Sequence, residues 1–146
     1  MSYKSNYWGG EIEVLLDSVP QKATKEEVFG TVLYNVNATS PNYGTVTLSD
    51  TTANYEYIDI YCATNDKHTF FNRCYQPNGK KIACSAVLVG NTSLFLKAKV
   101  YDCNGNTLTT AKGTNEAVFA GEWGSEKNSI VRGENTIGIY RVVGFK

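Results

Sequence analysis

Residues 54 to 62, Asn54-Tyr-Glu-Tyr-Ile-Asp-Ile-Tyr-Cys62, alternate in side-chain character and give the clearest β-strand signal in the chain. Successive side chains of a strand point to opposite faces of its sheet. One face therefore carries Glu56, Ile58, Ile60 and Cys62, and the other carries Tyr55, Tyr57, Asp59 and Tyr61. We expect the isoleucine face to lie in a core and the tyrosine face to remain half-exposed.

Shorter segments of the same kind flank this strand on both sides and are separated by turn residues. The predicted strands are residues 31–36, 45–49, 54–62, 69–75, 82–89, 94–101, 107–110, 117–120 and 136–145. Asn78-Gly79 and Asn104-Gly105 are dipeptides typical of hairpin turns between paired strands. The pattern predicts an all-β fold, an antiparallel β-sandwich of jelly-roll-like form, with a barrel-like roll as the alternative.

The first thirty residues do not share this pattern. Thr24 and Glu27 have the spacing of a capping box, and Gly30 would end the short helix that follows it. A helix of about one turn is marginal alone in water, so this region should pack on a partner or on the main domain. We divide the chain into a short N-terminal arm, residues 1–30, and a β-sandwich module, residues 31–146.

The composition of the 146-residue chain narrows the classes of partner. Fourteen basic side chains balance fourteen acidic ones, which excludes the basic footprint of a nucleic-acid-binding domain. No apolar run is long enough to span a membrane, and the N-terminus does not resemble a secretory signal. We therefore predict neither a nucleic-acid partner nor a membrane partner.

The four cysteines, Cys62, Cys74, Cys84 and Cys103, contain no closely spaced pair of the kind that binds zinc. Four cysteines allow three disulfide pairings, among which the sequence does not choose. In a chain without a secretory signal, reduced and partly buried thiols are the expected state.

Catalytic patterns are weak. His68, the one histidine, lies in a polar loop without the surroundings of a nucleophile system. The carboxylates suited to glycoside hydrolysis show no spacing that pairs two of them; they are Glu56, Asp59, Asp102, Glu116, Glu122 and Glu126. Residues 102 to 106 have oxygen side chains at alternate positions, but a hairpin explains them better than a calcium loop. We predict no catalytic residue, no metal site and no cofactor.

The aromatic residues are the stronger functional signal. Tyr and Trp combine an apolar ring with a polar edge, which suits interfaces and sugar-stacking surfaces. Trp123 lies in a glycine-flanked segment that we expect to be a loop exposing its ring, and Tyr55, Tyr57 and Asp59 are expected to share one strand face. We predict these four as the ligand-binding residues, with Trp123 and Tyr57 foremost.

Three stretches resemble a known family. They are Gly44-Thr-Val-Thr-Leu-Ser-Asp-Thr-Thr-Ala-Asn-Tyr-Glu-Tyr-Ile-Asp-Ile-Tyr61, Val100-Tyr-Asp-Cys-Asn-Gly-Asn106 and Glu134-Asn-Thr-Ile-Gly-Ile-Tyr-Arg-Val-Val-Gly-Phe-Lys146. Together they resemble the C-terminal β-rich module of tail-fibre and head-fibre proteins of phages and prophages of Gram-positive bacteria. The resemblance covers roughly residues 31–146.

The resemblance implies a non-enzymatic virion protein of fibre or decoration type, assembled in the bacterial cytoplasm. It also implies a homotrimer and binding to a host-surface glycan, and residues 1–30 would then dock onto other virion proteins. Two alternatives remain from the residues themselves: a small glycan-degrading depolymerase, and a soluble carbohydrate-binding module.

Overall fold

The computed structural model describes residues 29–90, 92–110, 118–124, 128–131 and 136–146. The predicted helix after Thr24, almost all of the arm and the predicted strand residue Ala117 lie outside these ranges. The described residues form ten strands: β1 Thr31–Asn35, β2 Val46–Thr47, β3 Tyr57–Thr64, β4 Thr69–Tyr75, β5 Lys81–Val89, β6 Ser93–Asn104, β7 Thr107–Thr110, β8 Val118–Gly124, β9 Asn128–Val131 and β10 Ile137–Phe145.

The strands form two sheets in which all pairs are antiparallel. The four-stranded sheet has the order β1-β10-β3-β4. The six-stranded sheet is built around the long strand β6, which pairs with β5 along one side. Along its other side β6 pairs with β8 near its start and with β7 near its end. β9 continues the sheet from β8, and β2 continues it from β7.

The two sheets pack face to face, because buried side chains from both belong to one core. The four-stranded sheet contributes Leu33, Ile58, Ile60, Cys62, Ile137, Ile139 and Val142, and the six-stranded sheet contributes Val46, Ile82, Cys84, Tyr101, Cys103 and Leu108. The predicted antiparallel β-sandwich is therefore confirmed. As in a jelly roll, the chain passes from one sheet to the other between β1 and β2, between β2 and β3, and again between β9 and β10. By contrast, β3 and β4 are neighbours in one sheet, and β5 to β9 all belong to the other.

The strand that decides the fold begins later than its sequence pattern suggests. Residues Thr52–Asn54 form a 3-10 turn, with Thr51 as the N-cap residue. Asp50 accepts hydrogen bonds from the Asn54 amide and the Tyr55 hydroxyl, which fixes this turn and pulls Tyr55 inward. β3 therefore starts at Tyr57, although Ile58, Ile60 and Cys62 lie in the core as predicted.

The long strand β6 turns its lysine-containing side towards the core. Leu94, Leu96, Ala98 and Val100 alternate with Phe95, Lys97, Lys99 and Tyr101, and the lysine set faces inward. Lys99 is 1% exposed, and its ammonium group donates hydrogen bonds to the backbone carbonyls of Tyr43 and Ile137. Paired with carbonyl oxygens, this cation can remain buried.

The two predicted hairpin dipeptides behave differently. Asn104-Gly105 does form the β6–β7 hairpin, with Asn104 opposite Thr107 and a positive φ of 58° at Gly105. The hairpin predicted at Asn78-Gly79 is wrong, because β4 pairs with β3 and β5 pairs with β6. This turn instead carries the chain from one sheet to the other. It is closed by the Lys80 amide donating to Pro77.

Strand β9 has no counterpart among the predicted strands, since its four residues carry no alternating pattern. Within the described ranges, no helix combines the length and apolar character that crossing a membrane requires.

Candidate functional site

The outer surface of the four-stranded sheet carries a cluster of aromatic rings. Tyr57 on β3 pairs directly with Tyr75 on β4 and with Phe145 on β10, so the three side chains lie side by side across the strands. The Tyr57 ring centroid is 5.1 Å from that of Tyr75 and 4.7 Å from that of Phe145, with the latter pair stacked. Tyr75 is 55% exposed, so this end of the cluster is open to solvent.

Arg73 is fixed within this cluster by a carboxylate. Its guanidinium donates two hydrogen bonds to Asp59, of 2.7 and 2.8 Å, across the β3–β4 pair. The guanidinium carbon also lies 4.3 Å from the Tyr57 ring centroid. The bidentate geometry orients the planar guanidinium against the ring. The hydrogen bonds to Asp59 raise the pKa of Arg73 above its ordinary value, so its charge is permanent.

A second ring group continues the surface along the same sheet. Tyr61 stacks on Phe71 with ring centroids 5.7 Å apart, and it approaches Tyr140 at 6.1 Å. The guanidinium of Arg141 lies 6.0 Å from the Tyr61 ring. We call these residues together the aromatic face: Tyr57, Tyr61, Phe71, Arg73, Tyr75, Tyr140, Arg141 and Phe145.

An open depression borders the aromatic face. It has a volume of about 500 Å³ and runs between the edges of β4 and β5, with Phe71 and Arg73 on one wall and Lys81 and Ser85 on the other. Asn72 crosses it, donating a 2.6 Å hydrogen bond to the Ala83 carbonyl. An extended ligand on the aromatic face therefore has a polar groove beside it.

The structure separates the four residues predicted to bind a ligand. Tyr57 lies on the aromatic face, where its ring is partly exposed. Asp59 faces the same way, but its side chain is only 5% exposed and both oxygens accept from Arg73. Asp59 therefore orients Arg73 and does not present a free carboxylate.

The prediction that Tyr55 shares the face of Tyr57 is wrong. Tyr55 precedes β3, is 6% exposed and belongs to the core. Its hydroxyl donates to Asp50 at 3.0 Å, and its ring lies against Gly144. The physical reason is the 3-10 turn before β3, which interrupts the alternation on which the prediction depended.

Trp123 lies on the other sheet, away from Tyr57. The predicted loop around it is wrong, because Trp123 belongs to strand β8, where it pairs with Leu94 and Asn128. Its side chain is 37% exposed, in keeping with the expected ring exposure. Trp123 and Tyr57 therefore do not form one platform.

Several members of the aromatic face were missed by sequence reasoning, notably Arg73, Tyr75 and Phe145. A signal for two of them was present, because Phe71, Arg73 and Tyr75 occupy alternate positions of one strand. What the sequence lacks is the pairing of β3 with both β4 and β10, which brings these residues to Tyr57.

The carboxylates of Asp59, Asp66 and Asp102 are each held by neighbouring side chains, whereas Glu56 is exposed just before β3. Asp102 accepts from Lys81 at 2.6 Å on the outer face of the six-stranded sheet, so the sandwich separates it from Asp59. Asp66 accepts hydrogen bonds from Lys97 and Thr64. Burial raises the pKa of Asp66, but these hydrogen bonds outweigh it and lower the pKa to about 2. The side chains of Glu116, Glu122 and Glu126 lie outside the described residues.

His68, the one histidine of the sequence, lies in the loop between β3 and β4. The His68 ring is 57% exposed and stands 3.6 Å from Asp66, as expected of a loop histidine. Among the described residues, no group of three or more His, Cys, Asp or Glu side chains is arranged to hold a metal ion.

The comparisons with known proteins give no family to which this chain can be assigned. No protein-family model and no curated protein matches the sequence.

Proposed function

We propose that this chain is a non-enzymatic structural protein of a phage virion, of fibre or decoration type, whose β-sandwich binds a host-surface glycan through the aromatic face. The glycan-binding part rests on the stacked group Tyr57, Tyr75 and Phe145 with Arg73. The virion part rests on the resemblance of the three sequence stretches to fibre modules.

The aromatic face suits a sugar polymer in its shape and chemistry. Exposed rings on a flat sheet offer stacking surfaces to the apolar faces of sugar rings, while tyrosine hydroxyls and guanidinium groups offer hydrogen bonds. Arg73 is already held in place by Asp59, so little conformational entropy is lost when a ligand binds. The guanidinium of Arg141 favours a polymer with anionic groups, whereas the charge of Arg73 is balanced by Asp59.

The resemblance and the fold support each other. The first stretch runs from just before β2 into β3, the second covers the end of β6 and the turn that leads to β7, and the third supplies β10 in the middle of the four-stranded sheet. All three therefore build the sandwich itself, which is what a structural module requires.

A homotrimer belongs to this proposal. On the outer face of β5 and β6 the outward positions from Ala83 to Val89 and from Leu94 to Val100 carry no charged residue. Val87 is 63% exposed and Val89 is 83% exposed. Apolar surface of this kind favours association between copies. Three copies would also strengthen weak sugar contacts by multivalency.

The test is binding of the purified protein to cell walls of Gram-positive bacteria and to their isolated wall polymers. Tyr57→Ala and Tyr75→Ala should each weaken binding by about tenfold or more, because each removes a stacking ring. Thr47→Ala is the matched control: Thr47 is exposed on β2, away from the aromatic face and from the outer face of β5, so this variant should bind like the unchanged protein. Equal binding by all four proteins would remove the aromatic face from the proposal.

Two further readouts separate the alternatives. Release of soluble sugar from the wall polymer over time would identify a depolymerase instead of a binding protein. For the arm, deleting residues 1–30 should abolish incorporation into particles while leaving wall binding intact. A deleted protein that still incorporates would show that the arm is not the docking segment.

A further inference from the structure

The sandwich interior holds all four cysteines. Cys62 on β3 and Cys74 on β4 belong to one sheet, and Cys84 on β5 and Cys103 on β6 belong to the other. Cys62 and Cys84 are both fully buried, whereas Cys74 lies on the edge strand β4 and is partly exposed. The six-stranded sheet thus has two buried thiols, from Cys84 and Cys103, and the four-stranded sheet has one, from Cys62.

Contacts between the two sheets bring the strands of Cys62 and Cys84 together in the core that both residues share. Cys84 pairs with Lys99, and the Lys99 ammonium donates a 3.2 Å hydrogen bond to the Ile137 carbonyl on β10. β10 is the strand beside Cys62, which pairs with Ile139. The side chain next to Cys84 therefore spans the interior to the neighbourhood of Cys62.

A second contact, between β4 and β5, also brings the strand of Cys84 close to the sheet that contains Cys62. Asn72 donates to the carbonyl of Ala83, the residue before Cys84, and so ties β4 to β5. Asn72 lies two residues after Phe70, which pairs with Cys62. Each of these two thiols is the largest influence on the pKa of the other, which agrees with side chains that lie close together.

The other two cysteines have different partners. Cys103 contacts the Thr52 hydroxyl at 3.4 Å, and the Cys74 thiol faces the Tyr75 carbonyl at 3.7 Å. Of the three pairings that four cysteines allow, the geometry thus favours the one that contains Cys62–Cys84.

We propose that Cys62 and Cys84 form a disulfide bond between the two sheets when the chain meets a small-molecule disulfide such as oxidised glutathione. The Cys84 thiolate attacks one sulfur of the small disulfide and displaces a thiolate. The Cys62 thiolate then attacks the Cys84 sulfur and displaces the second small-molecule thiolate, and the Cys62–Cys84 disulfide forms. The two protein thiols lose two electrons and two protons, and the small disulfide gains them to become two thiols.

The electrostatics of the pair agree with this order of attack. The hydrogen bond from Cys62 lowers the pKa of Cys84, assisted by Asn72 and the charge of Lys99 and opposed by burial. The same hydrogen bond and burial raise the pKa of Cys62. Because both sulfurs are closed off from solvent, exchange requires a transient opening of the sandwich and should be faster in dilute denaturant.

The Cys62–Cys84 bond would lie in the core of the sandwich and would form whatever ligand the aromatic face binds. The bond would close a loop that contains β4 and the turn before β5, and so restrict the unfolded chain. By the loop-closure argument, the oxidised protein should melt roughly 10 °C higher than the reduced protein.

The experiment equilibrates the full chain with oxidised glutathione in dilute urea, alkylates free thiols and maps the peptides by mass spectrometry. The expected result is a linked peptide pair containing Cys62 and Cys84, with Cys74 and Cys103 alkylated or joined to each other. Melting temperatures are measured on the same samples with and without reductant.

Two variants make the result decisive. Cys62→Ser should abolish both the linked pair and the reductant-dependent part of the melting temperature. Cys74→Ser, the matched control, should leave both unchanged. A protein in which Cys62 and Cys84 remain alkylatable after equilibration, or in which either is linked to Cys74 or Cys103, would overturn the proposal. Peptide mapping of the unchanged protein tests the proposal without any variant. The proposal can therefore be rejected even if a variant fails to fold.

Discussion

Charged side chains inside the sandwich are each held by specific oxygen partners. Lys99 reaches backbone carbonyls, and Lys97, which is 8% exposed, donates to Asn65 at 2.6 Å and to Asp66 at 2.8 Å. On the outer face of the four-stranded sheet, the nearly buried carboxylate of Asp59 is held instead by two nitrogen atoms of Arg73. A buried charge without such a partner would cost several kcal/mol, so removing a partner should be more damaging than removing an exposed charge.

Asp66 allows this to be tested through pH. Because its pKa is about 2 in the folded protein and 3.8 in the reference state, its ion pair with Lys97 stabilises the fold at higher pH. That contribution should disappear as the pH falls from about 4 to 2, since the unfolded chain takes up the proton first. The Asp66 side chain is 46% exposed, so solvent screening keeps the effect to about 1 kcal/mol.

The measurement is the free energy of unfolding of the unchanged protein and of Asp66→Asn between pH 7 and pH 2. The unchanged protein should be more stable at pH 7, and the difference should close at the acid end. A difference that stays constant across this range would show that the ion pair does not form in solution.

At the scale of the element, Gly144 allows the last strand, β10, to pack closely against Tyr55. β10 lies between β1 and β3, and Gly144 on it faces the ring of Tyr55. A Cβ atom at this position would lie 2.5 Å from a ring carbon of Tyr55. The glycine thus allows the closing strand to pack directly on the aromatic side chain that precedes β3.

Gly144→Ala should therefore lower the free energy of unfolding by about 2–3 kcal/mol, because a buried ring between packed strands cannot move aside without cost. Gly79→Ala is the matched control: its φ is 78° but no atom lies within 4 Å of the added methyl group. That variant should lose only about 1 kcal/mol, from backbone conformation alone. Equal losses in urea unfolding would mean that Tyr55 is free to relocate.

At the scale of the whole molecule, the two outer surfaces differ. The four-stranded sheet exposes rings and guanidinium groups, and the six-stranded sheet exposes aliphatic side chains on β5 and β6. β5 is also an edge strand, which pairs only with β6 among the described strands. A chain with one polar aromatic surface and one aliphatic surface can bind a ligand with the first and its own copies with the second.

We therefore expect light scattering behind a sizing column to give a mass near three chains. Val87→Asp combined with Leu94→Asp should lower the mass to one chain, because charges would be buried in the interface. Phe71→Asp, on the aromatic face, should leave the mass unchanged. A mass of one chain for the unchanged protein would contradict the trimer.

The positions of most strands, and the side of β3 that faces the core, could be predicted from the sequence because both depend on residues that are close together in the chain. Period-two alternation identified most strands, including β4 with its bounds from Thr69 to Tyr75, and it placed Ile58, Ile60 and Cys62 in the core. It failed at Tyr55, where a 3-10 turn breaks the period, and it did not indicate the burial of Lys99, which depends on distant carbonyl groups.

The sequence by itself determined that this protein is an antiparallel all-β fold, because alternation and turn residues act between near neighbours in the chain, and it left a sandwich and a barrel-like roll as the two arrangements. Only the tertiary structure decided which strands pair and which face of β6 lies inside. The pairing of the strands brought Arg73 and Phe145 to Tyr57, and the packing of the sheets brought Cys62 and Cys84 into one core. The same pairing placed Trp123 on the sheet that does not contain Tyr57. The physical reason is that strand pairing and sheet packing join residues far apart in sequence. The free energy of such contacts depends on the whole core and is not carried by any local pattern.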